Sequence, residues 1–196
     1  SRLRNKFYLC TVTTEMKTQI KDIAFVRTGV FAKPTSKGEV AYLQSNHFDD
    51  QGNLKRYIKT DLSANSVNPR HLLSPGEVLF SAKGSKNFAT VFTNVYPSSV
   101  ASSSFLVLSP VFSDILPEYL SWFLNSPDVQ IQLKKEALGT AIQSITKSSI
   151  EDLIIPIPPM KYQEKILEVT TLCEMANDLR NKISKLESKM IEDQIF

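Results

Sequence analysis

From Val169 to Met190 apolar residues recur at alternating steps of three and four: Val169, Leu172, Ala176, Leu179, Ile183, Leu186 and Met190. This is the a/d spacing of a coiled-coil seam, and one heptad further back it reaches Tyr162. Glu168, Glu174, Asp178, Arg180, Lys182, Lys185, Glu187 and Lys189 surround the stripe with mixed charge, as expected where a seam is bordered by solvated side chains. Upstream, LIIPIPPM (153–160) places Pro156, Pro158 and Pro159 where a helix interior cannot hold them but where an extended approach and a first turn can. The pattern therefore predicts a helix that starts near Met160 and runs about 30 residues, roughly 45 to 50 Å. A helix docked along its own body carries a wider apolar stripe than this. The narrow seam favours a partner helix.

The rest of the chain reads as a mixed body. KTQIKDIAFVRTG (17–29) predicts a short helix running into a strand that a glycine stops. EVAYLQ (39–44), EVLFSA (77–82), ATVFTNV (89–95) and SFLVLS (104–109) are β-branched or aromatic runs bounded by Gly, Pro, Asn and Ser, the signature of strands in one mixed or antiparallel sheet. Between the first two lies a long polar passage with turns at Gly52 and at Ser74-Pro75-Gly76. Pro117 opens PEYLSWFLNS, with Tyr119, Leu120, Phe123 and Leu124 on one side, and Pro127 opens a second helical stretch through Leu133. Both helices are expected to cover the sheet. The fold class is thus α+β: a mixed or antiparallel sheet with covering helices over residues 1–157, then a long C-terminal coiled-coil helix over 158–196.

Composition narrows the classes. With 196 residues, 42% of them hydrophobic, the chain can form one body with a proper core plus an appendage. A net charge of +3 neither demands nor excludes nucleic acid. Cys10 and Cys173 have no metal-ligand or disulfide spacing, so reduced thiols are expected. No apolar run approaches a membrane span and the start lacks a signal-peptide core, which points to a soluble cytoplasmic protein.

Catalytic constellations are missing. His47 and His71 are the only histidines, on polar stretches without an adjacent nucleophile motif, and with two unpaired cysteines a zinc site is not expected. Pro127-Asp128 and the distant Glu187-Ser188-Lys189 resemble fragments of a nuclease motif, but the second falls on the heptad helix. Gly84 and Gly139 stand alone, outside any phosphate loop. What the chain does have is two windows without acidic residues. One spans 78–113, where Lys83 and Lys86 frame SAKGSKN between two strand signals; the other is ALGTAIQSITKSSI (137–150), with Gln143, Ser144 and Lys147. Arg2, Arg4 and Lys6 are likewise unopposed until Glu15. Lysine and arginine attract phosphates whatever the sequence, whereas Asn, Gln and hydroxyl side chains discriminate bases, so loops mixing both suit specific DNA binding. An ordinary solvated loop is the competing reading of the same residues.

Four stretches together resemble the specificity subunit of type I restriction-modification systems, as one target recognition domain followed by one spacer helix: IKDIAFVRTG (20–29), EVAYLQSNHFDDQGNL (39–54), LLSPGEVLFSAKGS (72–85) and GTAIQSITKSSIEDLIIPIPPMKYQEKI (139–166). The last is the most specific, with Gln163 at the family's glutamine position before the heptad helix. The resemblance implies a non-catalytic DNA-recognition subunit that binds no cofactor, with S-adenosylmethionine, ATP and Mg on partner subunits. Its partners would be double-stranded DNA, modification subunits and restriction subunits. It also implies DNA-facing roles for Lys83, Ser85, Lys86, Asn87, Gln143, Ser144 and Lys147, with Gln44, Asn46 and His47 on a loop nearby and Lys33, Arg56, Lys59 and Arg70 as further phosphate contacts. Members usually carry two recognition domains and two spacer helices. A single copy here implies a homodimer through Tyr162, Val169, Leu172, Ala176, Leu179, Ile183, Leu186 and Met190, and an inverted-repeat target. A coiled-coil adapter whose body binds another protein, and an unrecognised enzyme, are the competing classes.

Overall fold

A computed structural model describes residues 16–35, 37–49, 52–55, 57–84, 87–137 and 144–195. The chain opens with strand β1 (Met16–Gln19), where the sequence suggests the start of a helix, and the expected helix-into-strand order follows as the single turn α1 (Ile20–Ile23) and β2 (Ala24–Thr28). Gly29 follows because the chain then passes against the backbone of 101–102: a Cβ on Gly29 would sit 2.1 Å from the Ser102 carbonyl oxygen. The glycine thus permits a close approach as well as ending a strand.

All four expected strands form: β3 (Val40–Leu43), β5 (Val78–Ser81), β6 (Ala89–Val91) and β8 (Phe105–Pro110), joined by the unanticipated β4 (Thr60–Leu62) and β7 (Ser99–Ala101). They do not share one sheet. A four-stranded antiparallel sheet has the order β2-β8-β5-β6, while β3 belongs to a separate three-stranded sheet of order β4-β3-β7, parallel to β7 and antiparallel to β4. The reason is that every residue of β3 is buried, so its side chains carry no solvent face to assign it to one layer. The long passage between β3 and β5 gives the chain length to change layers.

The four-stranded sheet is the middle layer, and its central strands are buried on both faces. Val78, Phe80, Leu106 and Leu108 join a core with Ile20, Ile23, Tyr119, Leu120, Leu124, Leu133, Ile150 and Ile155 on the helical side. The alternate residues Leu79, Phe105 and Val107 join Ala41, Leu43, Phe48, Ile58, Phe88 and Phe92 on the other. Helices α2 (Pro117–Asn125) and α3 (Pro127–Ala137) start at their prolines, as expected, and α2 lies against β5 and β6.

At the start of β5 in the four-stranded sheet sits a largely buried ion pair that the sequence reading did not flag. Arg27 on β2 donates to both carboxylate oxygens of Glu77 at 2.8 and 2.9 Å. Glu77 also accepts from the Ser109 hydroxyl on β8 and from the Ser74 backbone N–H at 2.9 Å. It ties the 74–76 turn to two strands.

The chain leaves the body through α4 (Lys147–Glu151), β9 (Ile154–Ile157) and α5 (Met160–Ile195). Strand β9 pairs antiparallel with β1, Met16 opposite Ile157, so the extended approach read from the prolines is a two-stranded ribbon. Helix α5 starts at Met160 and runs 36 residues, roughly 54 Å. Only its beginning is docked: Gln163 is buried and Ile166 and Leu167 pack against the helical-side core, whereas every residue from Thr171 to Met190 is exposed. The seam residues Tyr162, Val169, Leu172, Ala176, Leu179, Ile183, Leu186 and Met190 are all among the exposed ones. At about 100° per residue the docked side chains and the seam fall on roughly opposite sides of the helix.

Candidate nucleic-acid interface

Strands β5 and β6 form a hairpin whose tip carries the first acid-free window. Gly84 adopts φ +113 with nothing within 4 Å of where a Cβ would stand, so the tip turns in a conformation that favours glycine and leaves open space above it. Asn87 steadies the hairpin by donating its side-chain amide to the Ser81 carbonyl at 2.8 Å. Lys83 is exposed.

The second window comes to the same place. Lys83 and Ser144 form an antiparallel bridge, and the Ile145 N–H donates to the Ala82 carbonyl at 2.9 Å. Two segments some sixty positions apart in sequence, each lacking acidic residues, are thereby held side by side. Buried Ile145 anchors the junction, and Thr146 next to it caps α4 by accepting from the Ser149 N–H at 3.1 Å. Lys147 is exposed at the start of α4, 3.4 Å from Glu151 and 5.6 Å above the Phe25 ring. An exposed pair of this kind is worth at most about 1 kcal/mol, so its lysine is free to exchange the carboxylate for a phosphate. Ser85, Lys86, Gln143 and Arg56 lie outside the described residues, as do Arg2, Arg4, Lys6 and Cys10.

A third element leans on the hairpin. Phe48 packs against Phe88 and Phe105 with ring centroids 5.5 and 5.8 Å apart, and a Cβ on Gly52 would lie 2.9 Å from the Phe88 ring. These contacts bring the loop after β3 beside the hairpin arm. At the head of that loop, Gln44 and His47 cap one helical turn reciprocally, with the Gln44 N–H donating to His47 Nδ1 at 3.3 Å. Asn46 between them is exposed. Gln44 and His47 are therefore half-buried and engaged in shaping the loop, while Asn46 presents its amide outward.

Burial holds the His47 imidazole below its ordinary value of 6.5, partly offset by the Asp61 carboxylate. A depressed histidine favours the folded state fully above its unfolded value, and that contribution is lost as pH falls through the folded value. Moreover, protonation at Nδ1 removes the acceptor used by Gln44. Between pH 7.5 and 5 the wild-type protein is expected to lose more thermal stability than His47→Gln. Parallel melting curves at the two pH values check this, and equal losses would assign the pH sensitivity elsewhere.

The other candidate cations that the structure describes are on other segments. Lys33 is exposed after β2, and Arg70 is exposed in a helical turn at Pro69–His71. Lys59, just before β4, lines a shallow groove of about 590 Å³ with Thr35, Lys37, Gly38, Tyr57, Thr60 and Asp61. Tyr57 was missed by the sequence reading: it is 90% exposed, an aromatic side chain offered to solvent between Lys55 and Lys59. The signal that marks it is an aromatic interleaved with basic residues. Asp61, the acid of this groove, is used internally, accepting from the Tyr42 N–H at 3.0 Å.

Among the described residues, no group of three or more His, Cys, Asp or Glu is arranged to hold a metal ion, and no helix is long and apolar enough to cross a membrane.

A family model described as the type I restriction modification DNA specificity domain matches residues 14–187. The type I restriction enzyme EcoKI specificity subunit of Escherichia coli is 25% identical over 171 residues, 81% of this chain and 36% of that protein. The HindI specificity subunit of Haemophilus influenzae is 28% identical over 116 residues, 58% of this chain and 25% of that protein. The chain thus spans between a quarter and about a third of these curated relatives' length. In fold it is similar to a chain from a type I restriction-modification complex, with a TM-score of 0.65 at 15% identity over 93% of this chain and 44% of the other. It is also similar to the HsdS subunit of Thermoanaerobacter tengcongensis, with a TM-score of 0.56 at 18% identity over 82% of this chain and 37% of that one.

Proposed function

Since this chain belongs to the type I restriction modification DNA specificity domain family, we propose that it reads a DNA target and has no chemistry of its own. The observation that carries the reading is the Lys83–Ser144 bridge, which joins two acid-free segments into one cationic, hydroxyl-rich surface. Lys83, Asn87, Ser144 and Lys147 form its centre, Ser85, Lys86 and Gln143 are assigned to it from the sequence alone, and Gln44, Asn46 and His47 stand beside it. Lys33, Lys59 and Arg70 supply phosphate contacts at the periphery, where Tyr57 adds an aromatic surface, and Arg56 is assigned the same role from the sequence alone.

In this reading residues 1–157 are the recognition body and 158–196 the spacer. Modification subunits carry S-adenosylmethionine, and restriction subunits carry ATP and Mg; the chain directs both to the target from the cytoplasm. The exposed seam of α5 is covered by a second copy, so that two identical bodies face an inverted repeat.

Selection of bound duplexes from a random pool tests this and returns both the bases and the gap. Binding should weaken with salt, and Lys83→Ala with Lys86→Ala should flatten the log–log slope by about two, with affinity falling at least tenfold. Binding that is unselective and insensitive to salt would overturn the reading.

A further inference from the structure

Gln163 is fully buried, on the first turn of a helix that is exposed along most of its length. Its side-chain oxygen accepts from the Leu116 N–H at 2.9 Å, and its amide donates to the Asp114 carbonyl at 2.6 Å and the Pro158 carbonyl at 2.8 Å. All three partners are backbone groups. Two belong to the segment that feeds α2 and one to the approach to α5, so a single amide stitches the root of the helix to the body's frame. The Tyr119 hydroxyl braces the same approach by donating to the Pro156 carbonyl at 2.9 Å. Beyond this point the partly buried Ile166 and Leu167 pack against the body, and every residue from Thr171 to Met190 is exposed.

From Gln163 to Met190 the helix reaches roughly 40 Å, at 1.5 Å per residue. A change of about 10° at the root moves the far end by roughly 7 Å, equivalent to about two base-pair steps at 3.4 Å. Angular slack at one side chain is therefore as large as the distance a spacer must define.

We propose that Gln163 is a positioning residue that fixes the angle at which α5 leaves the body, and so sets the gap between the two half-sites rather than the bases read within each. This rests on the reading of the chain as a paired recognition subunit. Because all three hydrogen bonds go to backbone, the setting is independent of which loops the body displays.

Two measurements on the full chain separate the possibilities. In duplex selection, Gln163→Leu should return the same half-site as wild type but several neighbouring gaps instead of one dominant gap. A gap as sharp as wild type's would overturn the inference. In the absence of DNA, spin labels at Asn65→Cys, exposed beside the three-stranded sheet, and at Lys189→Cys, in a Cys10→Ser, Cys173→Ser background diluted with unlabelled protein, should give a distance distribution at least twice as broad for Gln163→Leu. An unchanged width overturns the inference whether or not DNA is bound, whereas wild type selecting no sequence while the widths differ would remove the DNA reading and leave the root lock standing. Should Gln163→Leu fail to fold, Gln163→Glu carries the same expectations, because it keeps the acceptor for Leu116 and loses both donors.

Discussion

Aspartate at both Leu179 and Ile183 is expected to leave a protein that sediments as a monomer at micromolar concentration, under conditions where wild type is expected to sediment as a dimer. The two side chains are 58% and 55% exposed, and they lie on the seam side of α5, away from Gln163, Ile166 and Leu167. Burying a leucine or isoleucine is worth roughly 1.5–3 kcal/mol, and a pair of seams loses this at two positions on each copy. Desolvating the introduced carboxylates adds to the loss. Association should fall by more than about three powers of ten, each power corresponding to about 1.4 kcal/mol. Since most helical stability in proteins comes from packing an apolar face rather than from propensity, the variant's unpaired far end should also fray, lowering helical circular dichroism while the body's melting transition stays in place. Wild type sedimenting as a monomer under the same conditions would count against self-association through this seam.

Loss of the Glu77 carboxylate should have a comparable effect on the body itself. Arg27 and Glu77 side chains are 16% and 10% exposed, so Glu77→Ala leaves a buried guanidinium without its partner and the Ser74 N–H and Ser109 hydroxyl without an acceptor. Breaking a buried pair from one side costs about 3–5 kcal/mol, much of it the unpaired charge. Replacing both members, as in Arg27→Met with Glu77→Leu, should recover most of that, because an apolar pair carries no desolvation debt. Urea unfolding of wild type and the two variants decides the matter. A double variant no more stable than Glu77→Ala would show that the remaining hydrogen bonds of the 74–76 turn, and not the charge, hold this corner.

How much of this was legible depended on whether a pattern had length enough to repeat. Helix α5 declared itself because its stripe recurs over several turns and its prolines can sit only at the entrance. Strands β5 and β8 declared themselves as apolar runs too short for helices. By contrast β4 and β7 have three residues each and lack the longer β-branched and aromatic run that marked the equally short β6, so they left no signal. The layer occupied by β3 was equally hidden, since a strand buried on both faces fits either sheet. At the candidate interface the absence of acids could be counted in the sequence, but the meeting of Lys83 with Ser144 is a long-range pairing that no local pattern encodes. Gln44 and His47 show the converse: polar residues that looked available for bases are occupied with each other. Gln163 stood out only through the family resemblance, because nothing in the letters around it distinguishes a buried glutamine from a solvated one.

The ribbon of β1 and β9 brings Met16 opposite Ile157, so the described part of the body begins and ends at a single place, beside the root of the rod. A folded unit with entrance and exit together behaves as a cassette. It can be copied in tandem, or exchanged for another with different loops, without rebuilding whatever it is spliced into.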